Sequence, residues 1–199
     1  MADGIFLSQP KYASDLLAHF NMSDCKASPS PFQSGVKLIV DCNTPLVDAT
    51  LYHQLVGSLI YLTHSQPDIS FAVSMVLRFM QKPHEIHWLE AKRILYYIQG
   101  SMHYGVFYSS KANVPLLGYT DSYWASVCSD QRSTAGYIFQ LGSSSFSCSR
   151  KNLGALSLSS CETEYRATKE ASEEVVWIQH VLTELGLIQK SSTTLKCDN

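Results

Sequence analysis

The chain reads as an α/β (α+β) protein in two parts: a helical first half, then short strands around one long helix. Three observations predict this. Between Asp48 and Gly100 apolar residues recur at steps of three and four, the helical period. From Gly105 to Arg150 the pattern changes to short runs rich in β-branched and aromatic residues, separated by Gly, Ser and Asn. A helical stripe then returns over residues 162–185, and residues 193–197 form one more strand-like run.

The helical part opens with PKYASDLLAHF, in which Pro10 suits a first turn and Leu16, Leu17 and Phe20 make a short apolar face. Residues 27–45 contain Ser28-Pro29-Ser30-Pro31 and little periodicity, which predicts an extended linker wrapping a neighbour. From Asp48, the residues Leu51, Leu55, Leu59 and Leu62 recur at helical spacing. Pro67 and Asp68 suit the first turn of a helix running through Met80. A further helix over residues 85–99 carries Trp88, Ile94, Leu95 and Ile98, with Gly100 ending it. Residues 105–109, 115–125, 136–141 and 144–150 then read as strands, so three or more strands, a helix and a strand make a mixed layer.

Composition narrows the class. The 199 residues can bury one good core or two small ones, and 45% apolar with 16% charged residues describes an ordinary globular protein. No run approaches the ~18–20 apolar residues that cross a bilayer. The start lacks a basic segment followed by a long apolar one, so no signal peptide is expected. An intracellular protein (cytoplasm or nucleus) with no membrane partner follows, and its six cysteines, in no zinc spacing, are expected to be reduced thiols. The net charge of −2 argues against strong autonomous binding of nucleic acid, since Lys92-Arg93 and Arg150-Lys151 are small basic patches.

Three acids are hard to place structurally. The stripe Ala167, Ala171, Val175, Ile178, Leu182, Leu185 extends one step back to Glu164, which aims a carboxylate at the sheet. An unpaired buried charge costs several kcal/mol, so Glu164 needs a partner. Glu162 already fits the capping job, because Ser159-x-x-Glu162 has the capping-box pattern. Asp121 shares strand parity with Leu117 and Tyr119, although an Asp there could equally end the strand in a turn. Asp198 closes the last β-like run and, alone, also reads as a turn or cap residue. Together, carboxylates on rigid elements suit magnesium, a hard cation that takes oxygen ligands. Two such ions about 3.5–4 Å apart can clamp the attacking water and leaving oxygen of a phosphodiester. Other candidates are weaker. His84-x-x-His87 has no third ligand nearby and reads as two surface histidines, Asp130 with Arg132 and Ser133 as a polar loop, and Tyr96-Tyr97 as packing.

LVGSLIYLTHSQPDISFAVSMVLRFMQKPHEIHWLEAKRILYYIQG, followed by GYTDSYWA, DQRSTAGYIFQLG, LSLSSCETEYRA and CDN, resembles the C-terminal part of copia-type LTR-retrotransposon Pol polyproteins. The resemblance covers almost the whole chain. It implies that residues 1–105 correspond to the thumb and connection end of a reverse transcriptase, and residues 106–199 to a ribonuclease H-like domain. It also implies that Asp121, Glu164 and Asp198 are metal ligands and catalytic residues of a two-metal Mg2+ site. The implied partners are an RNA–DNA hybrid, whose RNA strand is hydrolysed, and the remainder of a Pol polyprotein. The polymerase aspartate pair of the family lies upstream of this segment, so no polymerase activity is expected. The family's D-A-D-W-A-G stands as Asp121-Ser122-Tyr123-Trp124-Ala125-Ser126, and its S-W-S as Ser147-Cys148-Ser149, which predicts a core cavity. A fourth carboxylate and a final strand would lie beyond Asn199. The expectation for this domain is therefore a truncated one, with a catalytically inactive transposon relic or reused interaction module as the alternative to a nuclease.

Overall fold

The computed structural model describes residues 4–33, 35–36, 38–40, 43–109, 115–123, 133–142, 144–152, 159–187 and 192–197, with the backbone alone at 123, 134 and 150–152. It is a mixed helix-and-sheet protein, and the chain divides into two compact units, Phe6–Val106 and Met1–Ile5 with Phe107–Asn199.

In the unit Phe6–Val106, α1 (Pro10–His19) starts on its proline, and α2 (Ala49–Leu62) starts on Asp48, whose carboxylate accepts from Thr50 N at 2.8 Å. The buried face of α2 is Tyr52, Leu55, Val56, Leu59 and Leu62, whereas Leu51 is 38% exposed. Tyr52 takes the place expected for Leu51 because its phenol finds Val76 O at 2.7 Å, and burial pushes that phenol well above its usual pKa. After Pro67 a 3-10 turn, Pro67–Ile69, precedes α3 (Ser70–Leu77), which ends short of the Met80 expected. In contrast, α4 (Glu85–Ser101) runs through Gly100 instead of ending there. A Cβ on Gly100 would lie 3.0 Å from that of Ala27, so this glycine admits the linker against the helix. That linker has no regular element among its described residues and lies along α4, Ser28 N donating to Tyr96 O at 2.9 Å. These helices close on one core that includes Leu17, Leu55, Leu59, Ile94, Leu95 and Ile98, with Tyr97 and Trp88 packed on it. Burying each such aliphatic side chain contributes about 1.5–3 kcal/mol.

One strand was not foreseen. β1 (Gly4–Ser8) pairs with β2 (Gly105–Ser109) as a two-stranded ribbon. Ile5, Phe6 and Leu7 are all exposed, so GIFLS carries no period-two alternation from which to read it.

The other unit is a four-stranded mixed sheet in the order β5-β4-β3-β6, formed by β3 (Leu116–Tyr123), β4 (Thr134–Leu141), β5 (Ser144–Asn152) and β6 (Thr194–Cys197). β3 runs antiparallel to β4 and parallel to β6. One face is covered by α5 (Ser160–Glu184), whose Ala171, Val175, Ile178 and Leu182 pack on Leu116 and Phe139. Leu185, expected on that stripe, is 68% exposed, because the helix ends one residue before it and its direction is lost. Gly118 leaves room where Phe139 and Leu195 meet: a Cβ would lie 2.6 Å and 2.4 Å from them. Cys148, expected to leave a cavity in the core, pairs across the sheet with Ile138, which is 45% exposed, and so lies on the face opposite α5. Among the described residues Cys25, Cys148, Cys161 and Cys197 are free thiols, and no helix is long and apolar enough to cross a membrane.

Candidate metal centre

Asp121 lies inside β3, not at its end. The strand continues through Tyr123, and Asp121 pairs with Gly136 of β4. A turn role is therefore excluded, and an acid remains at a position where strands disfavour it. Alternation places Asp121 with Leu117 and Tyr119 on the face opposite Leu116 and Thr120, and its residue is exposed. On that face Lys196 of β6 stands 5.5 Å from the ring centroid of Tyr119, its partner in the register.

Glu164 belongs to the first turns of α5. Ser159 caps this helix, its hydroxyl accepting from Glu162 N at 3.1 Å, and Glu162 pairs with Arg166 at 2.7 Å. Ser159 thus caps the helix as the pattern predicted, and the Glu162 carboxylate is engaged by Arg166. The buried stripe itself runs back to Thr163, not to Glu164: Thr163 is fully buried, with its hydroxyl 3.0 Å from Ser159 O and 3.3 Å from Ser133 Oγ. A four-residue step wins over a three-residue step because the threonine hydroxyl finds two partners there. Glu164 sits at the border of the stripe, half-buried, yet its Oε2 is sealed from solvent with no hydrogen-bond partner among the described residues. A carboxylate oxygen in that condition is open to a cation.

Threonines and a thiol complete the surroundings. Thr120, paired with Cys197 of β6, also has a buried hydroxyl without a partner among the described residues. Thr168, one turn along α5 from Glu164, lies with its hydroxyl 3.4 Å from Cys197 Sγ. Sequence reasoning passed over these residues. The available signal was the parity of Thr120 with Leu116, which puts a hydroxyl under the helix. Asp198, the residue after Cys197, lies outside the described residues, as do Trp124, Asp130 and Arg132 and the side chain of Tyr123. Among the described residues no group of three or more His, Cys, Asp or Glu is arranged to hold a metal ion, a statement that covers two of the three acids.

The histidines of His84-x-x-His87 are not on the surface. His84 is 6% exposed and His87 is fully buried, each bonded to a backbone carbonyl of the linker. Both ring nitrogens of His87 are occupied, which leaves neither for a metal.

No family model and no solved structure matches the chain. It is 39% identical over 196 residues to a retrovirus-related Pol polyprotein from transposon RE2 of Arabidopsis thaliana, and 40% identical over 196 residues to that from transposon RE1. Each match covers 98% of this chain but only 14% and 13% of those polyproteins. An uncharacterized mitochondrial protein of Arabidopsis thaliana is 37% identical over 175 residues, 87% of this chain and 72% of that protein. With the same order of segments kept over nearly its whole length, the chain belongs to the copia-type retrotransposon Pol polyproteins.

Proposed function

We propose that the sheet unit is a ribonuclease H-like module in which Asp121, Glu164 and Asp198 hold magnesium and hydrolyse the RNA strand of an RNA–DNA hybrid by two-metal chemistry. One observation carries the reading: the Oε2 of Glu164, buried without a donor among the described residues at the start of the helix that covers β3. Carboxylate oxygens are the donor set a hard divalent cation takes, so the chemistry of the three side chains fits magnesium. Asp121 and Asp198 each follow, by one residue, the last described pair of β3 and β6, Thr120 with Cys197. When bound, magnesium would activate the attacking water and stabilise the leaving oxygen of the phosphodiester.

The protein's own residues supply position and charge. Ser159 and Thr163 fix the first turn of α5 and hence the Glu164 carboxylate. Pairing with Gly136 holds the backbone of Asp121 on a strand. Lys196 offers a positive group on the Asp121 face, suited to a phosphate of the hybrid. The test is incubation of the chain with a labelled hybrid, with and without magnesium, beside Glu164→Gln. Cleavage of the RNA strand that needs magnesium and disappears in the variant is the expected outcome. A folded protein that leaves the hybrid intact would replace this reading with a non-catalytic, transposon-derived module.

A further inference from the structure

The buried histidine pair does something the metal site does not absorb. Four contacts join the start of α4 to the strap that precedes α2. Glu85 N donates to Pro45 O at 2.9 Å and Val47 N donates to Pro83 O at 3.0 Å, the two bonds of the antiparallel bridge between Leu46 and His84. His84 Nδ1 lies 2.6 Å from Thr44 O, and His87 Nε2 lies 2.9 Å from Ile39 O. The fifth bond decides the chemistry: His84 N, the N-cap amide of α4, donates to His87 Nδ1 at 3.0 Å. A ring nitrogen that accepts from an amide carries no proton, so the proton of neutral His87 is on Nε2, where it donates to Ile39 O. The ring is also stacked on Phe79, centroids 3.8 Å apart.

We propose that His87 is a proton-operated latch: in its neutral Nε2–H form it ties the strap to the N-terminus of α4, and protonation at Nδ1 releases the strap. A second proton converts Nδ1 from acceptor to donor, so it faces the His84 amide donor to donor. The N-cap bond is lost, and a cation is created at the positive end of a helix at a fully buried position.

Other titratable groups around the ring must be counted. On its own helix these are His84, whose charge would oppose that of His87, and Glu90 with Arg93 further on; Phe79 on one side and the strap's Ile39 carbonyl on the other are uncharged. Burial, with His84 adding to it, holds the imidazole below its usual value of 6.5. A depressed folded value means that the latch contributes fully above pH 6.5 and is lost as pH falls through that folded value. Glu90 acts in the opposite direction, since burial raises its carboxyl.

Amide hydrogen exchange on the full chain, read by NMR at His84, Glu85 and Val47, tests this. Relative to Leu55 and Leu59 in α2, and corrected for intrinsic rates, their protection should fall between about pH 7.5 and 5.5, by up to about tenfold, the most that one proton with an unfolded value of 6.5 allows. His87→Gln keeps a donor for Ile39 O but does not titrate, and should abolish that pH dependence. Protection unchanged with pH, or the same loss in His87→Gln, would overturn the latch. So would ring nitrogen shifts that put the proton of wild-type His87 on Nδ1, a reading that does not need the variant to fold.

Discussion

At the scale of single residues, two buried carboxylates set the terms. Glu164 Oε2 has no donor among the described residues, and Glu164→Gln puts an amide of the same shape in its place, so stability in metal-free buffer should change little. The same substitution should remove the response to magnesium, and thermal melts with chelator and then with magnesium read both effects. Glu90 is 7% exposed and its Oε2 also lacks a partner. Burial raises its carboxyl above the ordinary 4.5, so the stability linked to its proton is fully present below pH 4.5 and lost as pH rises through the folded value. Glu90→Gln should therefore be more stable than the parent at neutral pH, with the gap closing below pH 4.5 in denaturant titrations at each pH. Of these residues only Glu164 was legible in the sequence, through an apolar stripe extended by one step. That extension was off by one position, because a hydroxyl that can hydrogen-bond back to Ser159 O is as acceptable inside as an apolar side chain. Asp121 was equivocal for a related reason: an acid ending a strand and an acid within one look alike until the pairing partner, Gly136, is known.

At the scale of elements, α5 carries the site. Ser159→Ala removes the side chain that accepts from Glu162 N and should cost about 1 kcal/mol. Because the loss falls on the turn that bears Glu164, magnesium affinity should drop with it, which calorimetric titration would show. Phe139→Ala, by contrast, opens a cavity under Ile178 and Leu182 and should cost about 3–5 kcal/mol in unfolding free energy. The long elements were readable: α2, α4 and α5 declare themselves by spacing, and β2 to β5 by short apolar runs between turn residues. What escaped were features fixed by contact instead of period. Gly100 does not stop α4, since its missing Cβ admits Ala27. The ribbon strand β1 hides because its apolar residues face solvent. His84 and His87 looked like surface residues because nothing local announces that a strap covers them.

At the scale of the whole molecule, a net charge of −2 leaves little general attraction for nucleic acid. Hybrid binding should then depend on magnesium and show a shallow salt dependence, in contrast to proteins that release many counterions; binding isotherms across salt concentrations measure the slope. The same charge makes the three carboxylates the strongest reason for this chain to take up divalent cations. A thermal melt of the full chain with increasing magnesium, repeated for Asp121→Asn, Glu164→Gln and Asp198→Asn, addresses that directly. The account predicts that magnesium raises the midpoint of the parent and that each of the three substitutions abolishes the rise. A rise that survives all three, or a folded parent that does not respond, would contradict it.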